Sequence, residues 1–157
     1  MNTEEKNEKK IAEEKYLADR VDNQIDWYDN KSVKYKKYAT RLTIATFIST
    51  AFIPFISGLG FFIPPDNWLP LIIGILGLNS TICTGILEMK KFRELWISYR
   101  QTCEKLKHEK NLYETKTGKY CDDLTKFNIF VENIEAILIS EHSDWSKNIV
   151  NNLQEKK

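Results

Sequence analysis

The chain has 157 residues, of which 42% are hydrophobic and 29% charged, and its net charge is +1. That length fits one domain, and a net charge so near zero argues against a nucleic-acid-binding protein. Its three cysteines are widely spaced and form no CxxC pair, which argues against a disulfide framework or a zinc site. The charges are unevenly distributed, because Asp66 is the one charged residue between positions 42 and 87.

The chain begins with a charged segment and a predicted helix. Residues 1–10 are dense in Glu, Lys and Asn, and this composition predicts a disordered tail. Residues 11–41 predict a cytosolic amphipathic helix, because apolar and small side chains recur at alternating spacings of four and three. The stripe consists of Leu17, Val21, Gln24, Tyr28, Ser32, Tyr35 and Ala39, with Ile25 beside it. No Gly or Pro separates this helix from the apolar segment that follows, so we expect it to continue without a break.

Two apolar segments form the centre of the chain. Residues 42–63 predict a first transmembrane helix and residues 69–87 a second, since about 20 apolar residues cross a bilayer. Residues 64–68 predict a short external loop, in which two prolines end the helix and a tryptophan suits the bilayer–water interface. Pro54 lies inside the first segment and predicts a kink there.

The distribution of basic residues predicts the topology of this hairpin. Basic residues flank both segments on one side, and the connecting loop has no Lys or Arg. They are Lys31, Lys34, Lys36, Lys37 and Arg41 before the first segment, and Lys90, Lys91 and Arg93 after the second. The positive-inside rule therefore places both termini in the cytoplasm. We also expect Arg41 and Glu88, which share one membrane edge, to form an ion pair.

Each apolar segment carries a stripe of small or hydroxylated residues. The second has a small-xxx-small pattern that permits close helix contact in lipid and is our candidate oligomer contact: Gly74, Gly77, Thr81 and Gly85. The first has hydroxyls that form our candidate pore lining: Thr43, Thr46, Thr50 and Ser57. A second interpretation is that the hydroxyl stripe simply packs against the glycine stripe within one hairpin.

After the second span, residues 88–117 predict a cytosolic helix that continues it without a breaker. Its stripe again alternates three and four: Phe92, Leu95, Tyr99, Cys103, Leu106, Lys110 and Tyr113. This stripe can pair with the N-terminal one as an antiparallel coiled coil. Gly118 is placed to be the left-handed residue that ends the helix.

Residues 122–153 predict two C-terminal cytosolic helices. Asp122 or Asp123 can cap the first, and the second is expected to start near Ser143. Their apolar residues are Leu124, Phe127, Phe130, Val131, Ile134, Ile137 and Leu138, followed by Trp145, Ile149 and Leu153. The expected fold class is all-α: a two-helix transmembrane hairpin whose helices extend into a cytosolic antiparallel helical bundle.

No pattern in the chain predicts catalysis. The two histidines, His108 and His142, fall on different helices, and no GxSxG, HExxH, Walker or GxGxxG motif occurs. We therefore expect no enzyme and no catalytic, cofactor-binding or metal-binding residue.

Several segments together resemble one family. They include Tyr16-Leu17-x-x-Arg20-x-x-x-Gln24-Ile25-x-Trp27-Tyr28-x-x-Lys31, then Phe92-x-x-x-Trp96-x-x-Tyr99-Arg100-x-Thr102-x-Glu104-x-Leu106-Lys107-x-Glu109, then Leu112-Tyr113, Gly118-x-Tyr120 and Trp145. With the hairpin, they resemble the SLATT family, the SMODS and SLOG-associating two-transmembrane effector domains of bacteria. The positions we take as the family motif are Trp27, Trp96, Tyr99, Arg100, Glu104, Tyr113, Gly118 and Tyr120.

The resemblance implies a function in the bacterial inner membrane. Such proteins are proposed to be pore-forming or membrane-perturbing effectors of anti-phage systems, acting as homo-oligomers beside a nucleotide-generating or nucleotide-sensing protein. The alternative is a non-conducting membrane adaptor that recruits a cytosolic partner. Physically, Trp96 and Tyr99 suit the membrane interface or the pairing of the two arms, and Arg100 suits a phosphate or the acidic face formed by Asp22, Asp26 and Asp29.

Overall fold

A computed structural model of the protein describes residues 3–59, 68–122 and 125–154, and for residues 3, 5, 6 and 142–154 it describes the backbone alone. Over these ranges the protein is all-α without a strand, which confirms the expected class. The helices are α1 Thr3–Tyr16, α2 Asn23–Leu59, α3 Trp68–Lys90, α4 Phe92–Glu114 and α5 Lys126–Gln154. A π-helical segment, Leu17–Asp22, joins α1 to α2, and a 3₁₀ turn, Gly118–Tyr120, precedes α5.

The chain divides into two compact units. The bundle unit comprises Met1–Asn30 and Ser98–Lys157, and the hairpin unit comprises Lys31–Ile97. The division falls inside α2 and α4, so each of these helices contributes to both units.

In the hairpin unit, α2 and α3 pack along a heptad-spaced seam. The buried or half-buried positions on α2 include Ala39, Leu42, Thr46, Ser49, Ile53 and Ile56. Those on α3 include Leu69, Ile73, Leu76, Ser80, Cys83 and Leu87. Both sets alternate three and four, the spacing that keeps one helix face against a partner. The seam is thus built from aliphatic, small and hydroxylated side chains.

The rest of the hairpin surface is apolar and exposed. Two helical stretches, Asn7–Leu59 and Trp68–Lys90, are long and apolar enough by length and composition to cross a membrane. In the most apolar 18-residue part of the first stretch 6% is buried, and in that of the second stretch 11% is buried. A core helix of a soluble protein would be mostly buried. Phe47 and Leu78, for example, are 70% and 63% exposed. These properties indicate a membrane-associated protein.

The bundle unit has its own hydrophobic core, to which α2, α4, the 3₁₀ turn and α5 all contribute. Its members are Val21, Ile25, Tyr28, Cys103, Leu106, Tyr113, Tyr120, Phe130, Ile134 and Leu138. Most belong to the stripes read from the sequence, because a repeat of three and four residues places side chains on one helix face. Tyr120 is the exception, since it comes from the turn and still is fully buried.

The N-terminal ten residues differ from the expectation. Residues 1–10 were predicted to be a disordered tail, but α1 begins at Thr3. Its glutamates and lysines are good helix formers, and opposite charges four residues apart stabilise a helix. High charge without apolar residues therefore did not distinguish a solvated helix from a disordered segment.

The helix over residues 88–117 was predicted to be continuous with the second span, but it is interrupted at Lys91. This residue has φ of 46°, in the left-handed region, so α3 ends at Lys90 and α4 begins at Phe92. The Lys91 backbone N–H still donates a hydrogen bond to the carbonyl of Leu87 at 3.1 Å, so the break is confined to a tight turn. Lysine is not a residue whose sequence signals a positive φ, so the pattern predicted no interruption.

The end of α4 is also one turn earlier than expected. Lys116, with φ of 52°, is the left-handed residue that ends the helix, a position predicted for Gly118. The Thr117 N–H bonds the Leu112 carbonyl at 3.0 Å and the Lys116 N–H bonds the Tyr113 carbonyl at 3.2 Å, which is a Schellman motif. Gly118, with φ of 64°, instead starts the 3₁₀ turn.

The C-terminal segment forms one helix where two were predicted. α5 runs without interruption through Ser143, because no Gly or Pro lies between residues 126 and 154. Just before α5, Asp122 accepts a hydrogen bond from the Thr125 hydroxyl at 2.9 Å. Several predicted features lie outside the described residues: Asp123, Leu124, residues 60–67 with most of the loop, and the side chains of His142, Trp145, Ile149 and Leu153.

Candidate functional site

The hydroxyls of the candidate pore lining bond their own helix. Thr43, Thr46 and Thr50 each donate to the backbone carbonyl four residues earlier, at 2.8, 3.0 and 2.8 Å. Thr81 and Thr84 do the same on α3, both at 2.9 Å. Thr43 and Thr46 are half-buried, whereas Thr50 and Ser57 are exposed. The hydroxyl donors of these five threonines are therefore satisfied in an apolar environment without any further partner.

A polar cluster joins the two spans near their middle. We define it as Ser49, Thr50, Asn79 and Ser80. Asn79 Nδ2 donates to Ser49 Oγ at 2.7 Å, and the hydroxyls of Thr50 and Ser80 lie 3.1 Å apart. These residues are about eight positions, or roughly 12 Å, from the charged edge of the apolar segments, which is deep within a hydrocarbon layer about 30 Å thick.

Asn79 is the residue of this cluster that was not predicted from the sequence. Its signal was present, because an amide in a predicted span is costly in lipid unless it finds partners. The structure supplies one partner across the seam, yet Asn79 and Thr50 both stay exposed at the hairpin surface. The polar cluster thus extends from the seam to a face that the hairpin does not cover.

The glycine stripe of α3 lies away from the seam. A Cβ atom placed on Gly74, Gly77 or Gly85 would meet no atom within 4 Å. The interpretation that the threonine stripe packs against this glycine stripe inside one hairpin is therefore wrong. The seam uses the Ile, Leu, Ser and Cys face of α3 instead, and Thr81 is exposed beside the glycines. We call Gly74, Gly77, Thr81 and Gly85 the glycine face.

Four of the motif residues form one contact group in the bundle unit. The Trp27 ring meets the Tyr99 ring edge-on at 5.8 Å, and Arg100 Nη1 bonds Asp29 Oδ1 at 2.9 Å. Arg100 Nη2 also reaches Glu104 Oε1 at 2.8 Å, one turn along α4. Of the two alternatives for Arg100, the acidic face of the first arm is the one that it contacts. Trp96 belongs to the hairpin unit, where Lys36 Nζ lies 5.5 Å from its ring centre.

The remaining motif residues surround a buried carboxylate. Glu109 is 7% exposed and accepts the Tyr120 hydroxyl at 2.5 Å, while Lys119 forms an ion pair with it. Asn133 Nδ2 donates to the Tyr120 hydroxyl oxygen at 3.0 Å. Gly118 makes this possible because its positive φ turns the chain so that Lys119 and Tyr120 both reach Glu109. Tyr113 contributes by stacking on Phe130, with ring centres 4.4 Å apart.

Electrostatics favour the charged form of two carboxylates in this unit. Burial raises the pKa of Glu109, but hydrogen bonds from Lys119 and Tyr120 outweigh it, so the net pKa lies below the ordinary value. The fork of Arg20, whose Nε and Nη2 each lie 3.0 Å from a Glu135 oxygen, likewise lowers the pKa of Glu135. Glu109 and Glu135 therefore bind their hydrogen-bond partners most strongly in the ionised form.

Acid should therefore destabilise the bundle unit. A carboxyl whose pKa is lowered by folding adds stability that is fully present above its unfolded pKa of about 4.3 and is lost as pH falls through the folded pKa. At pH values below about 4.3, we expect the urea concentration at half unfolding to decrease as the pH falls. In the Glu109→Gln variant this decrease should be smaller than in the wild type. Circular dichroism at pH 3 to 7 checks this, and equal acid slopes for both proteins would contradict it.

Metal ligation finds no support in the described ranges, where no three His, Cys, Asp or Glu side chains are grouped to hold an ion. His108 lies on the exposed side of α4. Cys83 and Cys103 are buried free thiols, and Cys121 is an exposed one. The expected Arg41–Glu88 ion pair is likewise not formed within the described part of the hairpin, where Glu88 lines a cavity.

Together these features define an all-α protein with a helical hairpin suited to a membrane and a compact helical bundle. Residues 23–127 match a family described as "Protein of unknown function (DUF4231)". The match covers more than half of the chain, so the chain belongs to the DUF4231 family. No curated protein and no solved structure matches the chain.

Proposed function

We propose that the protein is an integral membrane effector that assembles into homo-oligomers and permeabilises the bacterial cell membrane in an anti-phage, nucleotide-signalled system. Its hairpin spans the membrane with both termini in the cytoplasm, as the basic flanks require. The resemblance to the SLATT family supports the biological setting. The observation that carries the proposal is the polar cluster, which opens onto an uncovered face in the middle of two apolar spans.

Exposed polar groups at this depth need a partner. An amide facing hydrocarbon is costly, so the exposed Asn79 favours arrangements in which a second copy or water covers it. The glycine face gives such a copy a place to approach closely, because nothing within the hairpin occupies it. Two helices cannot enclose a water path, and several copies are therefore required.

In the open oligomer, the pore would be lined by the hydroxyl stripe of α2, Thr43, Thr46, Thr50 and Ser57. No charged side chain is available along this stripe, so the pore is weakly selective. Ile48 and Phe55 are 52% and 61% exposed and can exclude water in the closed state. Pro54, inside α2, provides a point at which the helix can bend between the two packings.

The bundle unit receives the signal in this proposal. The resemblance supports a nucleotide-generating or nucleotide-sensing protein acting in trans, and no cofactor of the chain's own is invoked. The group formed by Trp27, Tyr99, Arg100 and Asp29 fixes the first arm to α4, so a partner that alters this group would alter the arm that continues into the membrane.

The Thr46→Val and Thr50→Val double variant tests the pore lining. Valine keeps the shape of threonine and removes its hydroxyl, so ion flux through proteoliposomes should fall several-fold while insertion and oligomer size stay unchanged. Thr84→Val is the matched control, because it removes an equivalent backbone-bonded hydroxyl from the other span. Unchanged flux in the double variant would refute the lining. Wild-type protein that stays silent with its activating partner would favour the alternative below.

The alternative is a non-conducting membrane adaptor that recruits a cytosolic protein. Two observations favour it: the threonine hydroxyls of the spans already bond their own helices, and the bundle unit exposes 46% of Trp27 and 66% of Ile139. Exposed aromatic and aliphatic side chains of this kind serve as anchors in protein interfaces. A neighbouring gene for a nucleotidyltransferase or nucleotide sensor would favour the effector instead.

A further inference from the structure

The hairpin unit contains a cavity at the edge of its apolar region. The cavity has a volume of about 740 Å³ and is lined by residues of α2, the end of α3, Lys91 and the start of α4. Ligand pockets commonly enclose about 300–1,000 Å³, so this one can hold a small molecule or a headgroup. Its lining extends on both sides of the boundary at which the charge-free segments begin and end.

One half of the cavity lies within the apolar region. Its lining there consists of Thr43, Ile44 and Phe47 on α2 and Leu87 on α3. Ile44 is 51% exposed and Phe47 70%, so both present apolar surface toward the surroundings of the hairpin. In a bilayer this half borders the acyl chains.

The other half carries charges. Lys36, Lys91 and Arg93 supply three cations, and Trp96 lies among them with Lys36 over its ring. Two carboxylates also line this half: Glu94, whose Oε2 is 3.6 Å from Lys91 Nζ, and Glu88. The lining therefore has a small positive excess with hydrogen-bond acceptors beside it.

The break at Lys91 adds to the positive potential. Because α3 ends at Lys90 and α4 restarts at Phe92, the N-terminus of a 23-residue helix lies at the rim of the cavity. The first N–H groups of a helix have no intrahelical acceptor, and the helix dipole favours a negative group there. Five further basic residues in the two flanks raise the local potential: Lys31, Lys34, Lys37, Arg41 and Lys90.

We propose that this cavity binds one anionic phospholipid, with its phosphate among Lys36, Lys91 and Arg93 and an acyl chain along Ile44 and Phe47. A glycerol headgroup suits the site, because its hydroxyls can donate to the carboxylates of Glu88 and Glu94. The shape of the site, apolar on one side of the boundary and cationic on the other, matches a lipid rather than a soluble phosphate. The inference rests on membrane insertion of the hairpin and is independent of whether the protein conducts ions.

Fluorescence quenching by brominated lipids tests the site through a Phe47→Trp variant, which places an indole where the acyl chain should lie. The full chain is placed in phosphatidylcholine bilayers that contain either phosphatidylglycerol or phosphatidylcholine brominated in the acyl chains. Comparison with the wild type identifies the share of the signal that comes from position 47. Brominated phosphatidylglycerol should quench that share at a lower mole fraction than brominated phosphatidylcholine. Equal quenching by both lipids would overturn the proposal.

Matched charge variants distinguish lipid binding in the cavity from the general attraction of anionic lipids to a basic surface. Lys36→Gln with Arg93→Gln should lower the preference for phosphatidylglycerol by about thirtyfold, since about 1 kcal/mol for each cation near an anionic lipid amounts to about 2 kcal/mol for the pair. Lys34→Gln with Lys37→Gln removes the same charge from exposed positions of the same helix outside the cavity, and should keep the preference within about threefold. Equal losses in the two variants would overturn a specific site.

Two further measurements address the shape of the cavity. Thr40 lines it, so Thr40→Phe should reduce the preference by filling space without changing charge. Soluble glycerol 3-phosphate should leave the quenching unchanged, because it has no acyl chain to lie along Ile44 and Phe47. A Thr40→Phe variant with full preference, or reversal by glycerol 3-phosphate, would contradict lipid binding in this cavity.

Discussion

Replacing Gly77 and Gly85 together with leucine should disperse the oligomer into smaller species in mild detergent. Helix association in lipid depends on close packing, and two isobutyl groups on the glycine face would hold a neighbouring backbone away. The hairpin itself should be unaffected, because a Cβ atom at either position meets no atom within 4 Å in the single chain. Light scattering coupled to size-exclusion chromatography measures the mass directly.

The matched control for this experiment is Ala51→Leu. It adds a similar bulk to an exposed position of the other span, away from the glycine face, and should leave the mass as in the wild type. If the Gly77→Leu and Gly85→Leu double variant kept the wild-type mass, the contact between copies would lie elsewhere. The polar cluster around Asn79 would then be the next surface to examine.

Replacing Phe130 with alanine should destabilise the bundle unit by about 3–5 kcal/mol. Phe130 is fully buried, stacks on Tyr113 and meets the edge of the Tyr120 ring with centres 6.0 Å apart. The same side chain also contacts Tyr16, whose hydroxyl donates to Glu135. Its removal would leave a cavity beside Tyr113 and Tyr120 and weaken the contacts of α5 with α1 and α4.

Urea unfolding in mild detergent, followed by far-ultraviolet circular dichroism, measures this loss. Ile139→Ala on the same helix is the control, because Ile139 is 66% exposed and its truncation should change stability by no more than about 0.5 kcal/mol. A cost below about 1 kcal/mol for Phe130→Ala would mean that α5 does not close the core of this unit.

Regular features of the sequence predicted most of the fold. The two charge-free segments predicted α3 and the apolar half of α2, and the alternation of three and four residues predicted the core positions Val21, Leu106 and Ile134. These predictions rest on side-chain polarity repeated over many residues, so a single unusual residue does not alter them. The helical class follows from the same repetition.

Features determined by a single backbone conformation could not be predicted. Lys91 and Lys116 adopt positive φ without being glycine or asparagine, so neither the break before α4 nor the actual end of α4 had a signal. Ser143 predicted the start of a new helix, but without a Gly or Pro α5 continues through it. A residue that can cap a helix can also lie inside one, and the residues on either side determine whether a new helix starts there.

The sequence predicted which residues belong to the candidate membrane site, but not how the two helices arrange them in space. Periodicity placed Gly74, Gly77, Thr81 and Gly85 on one face of a helix, but which face α2 covers depends on packing between helices. The same applies to Asn79, whose partner Ser49 is 30 positions away along the chain. Whether the glycine face joins copies and whether the hydroxyl stripe lines a pore remain predictions for the experiments above.

Reporter fusions at residue 1 and residue 157 test the membrane hairpin most directly. Alkaline phosphatase is active outside the cytoplasm and a fluorescent protein folds inside it, so the pair distinguishes the two sides of the membrane. The basic residues that flank both spans predict that both ends lie in the cytoplasm, and both fusions should therefore fluoresce without phosphatase activity. External phosphatase activity at either end, or recovery of the protein in the soluble fraction, would contradict the two-span hairpin.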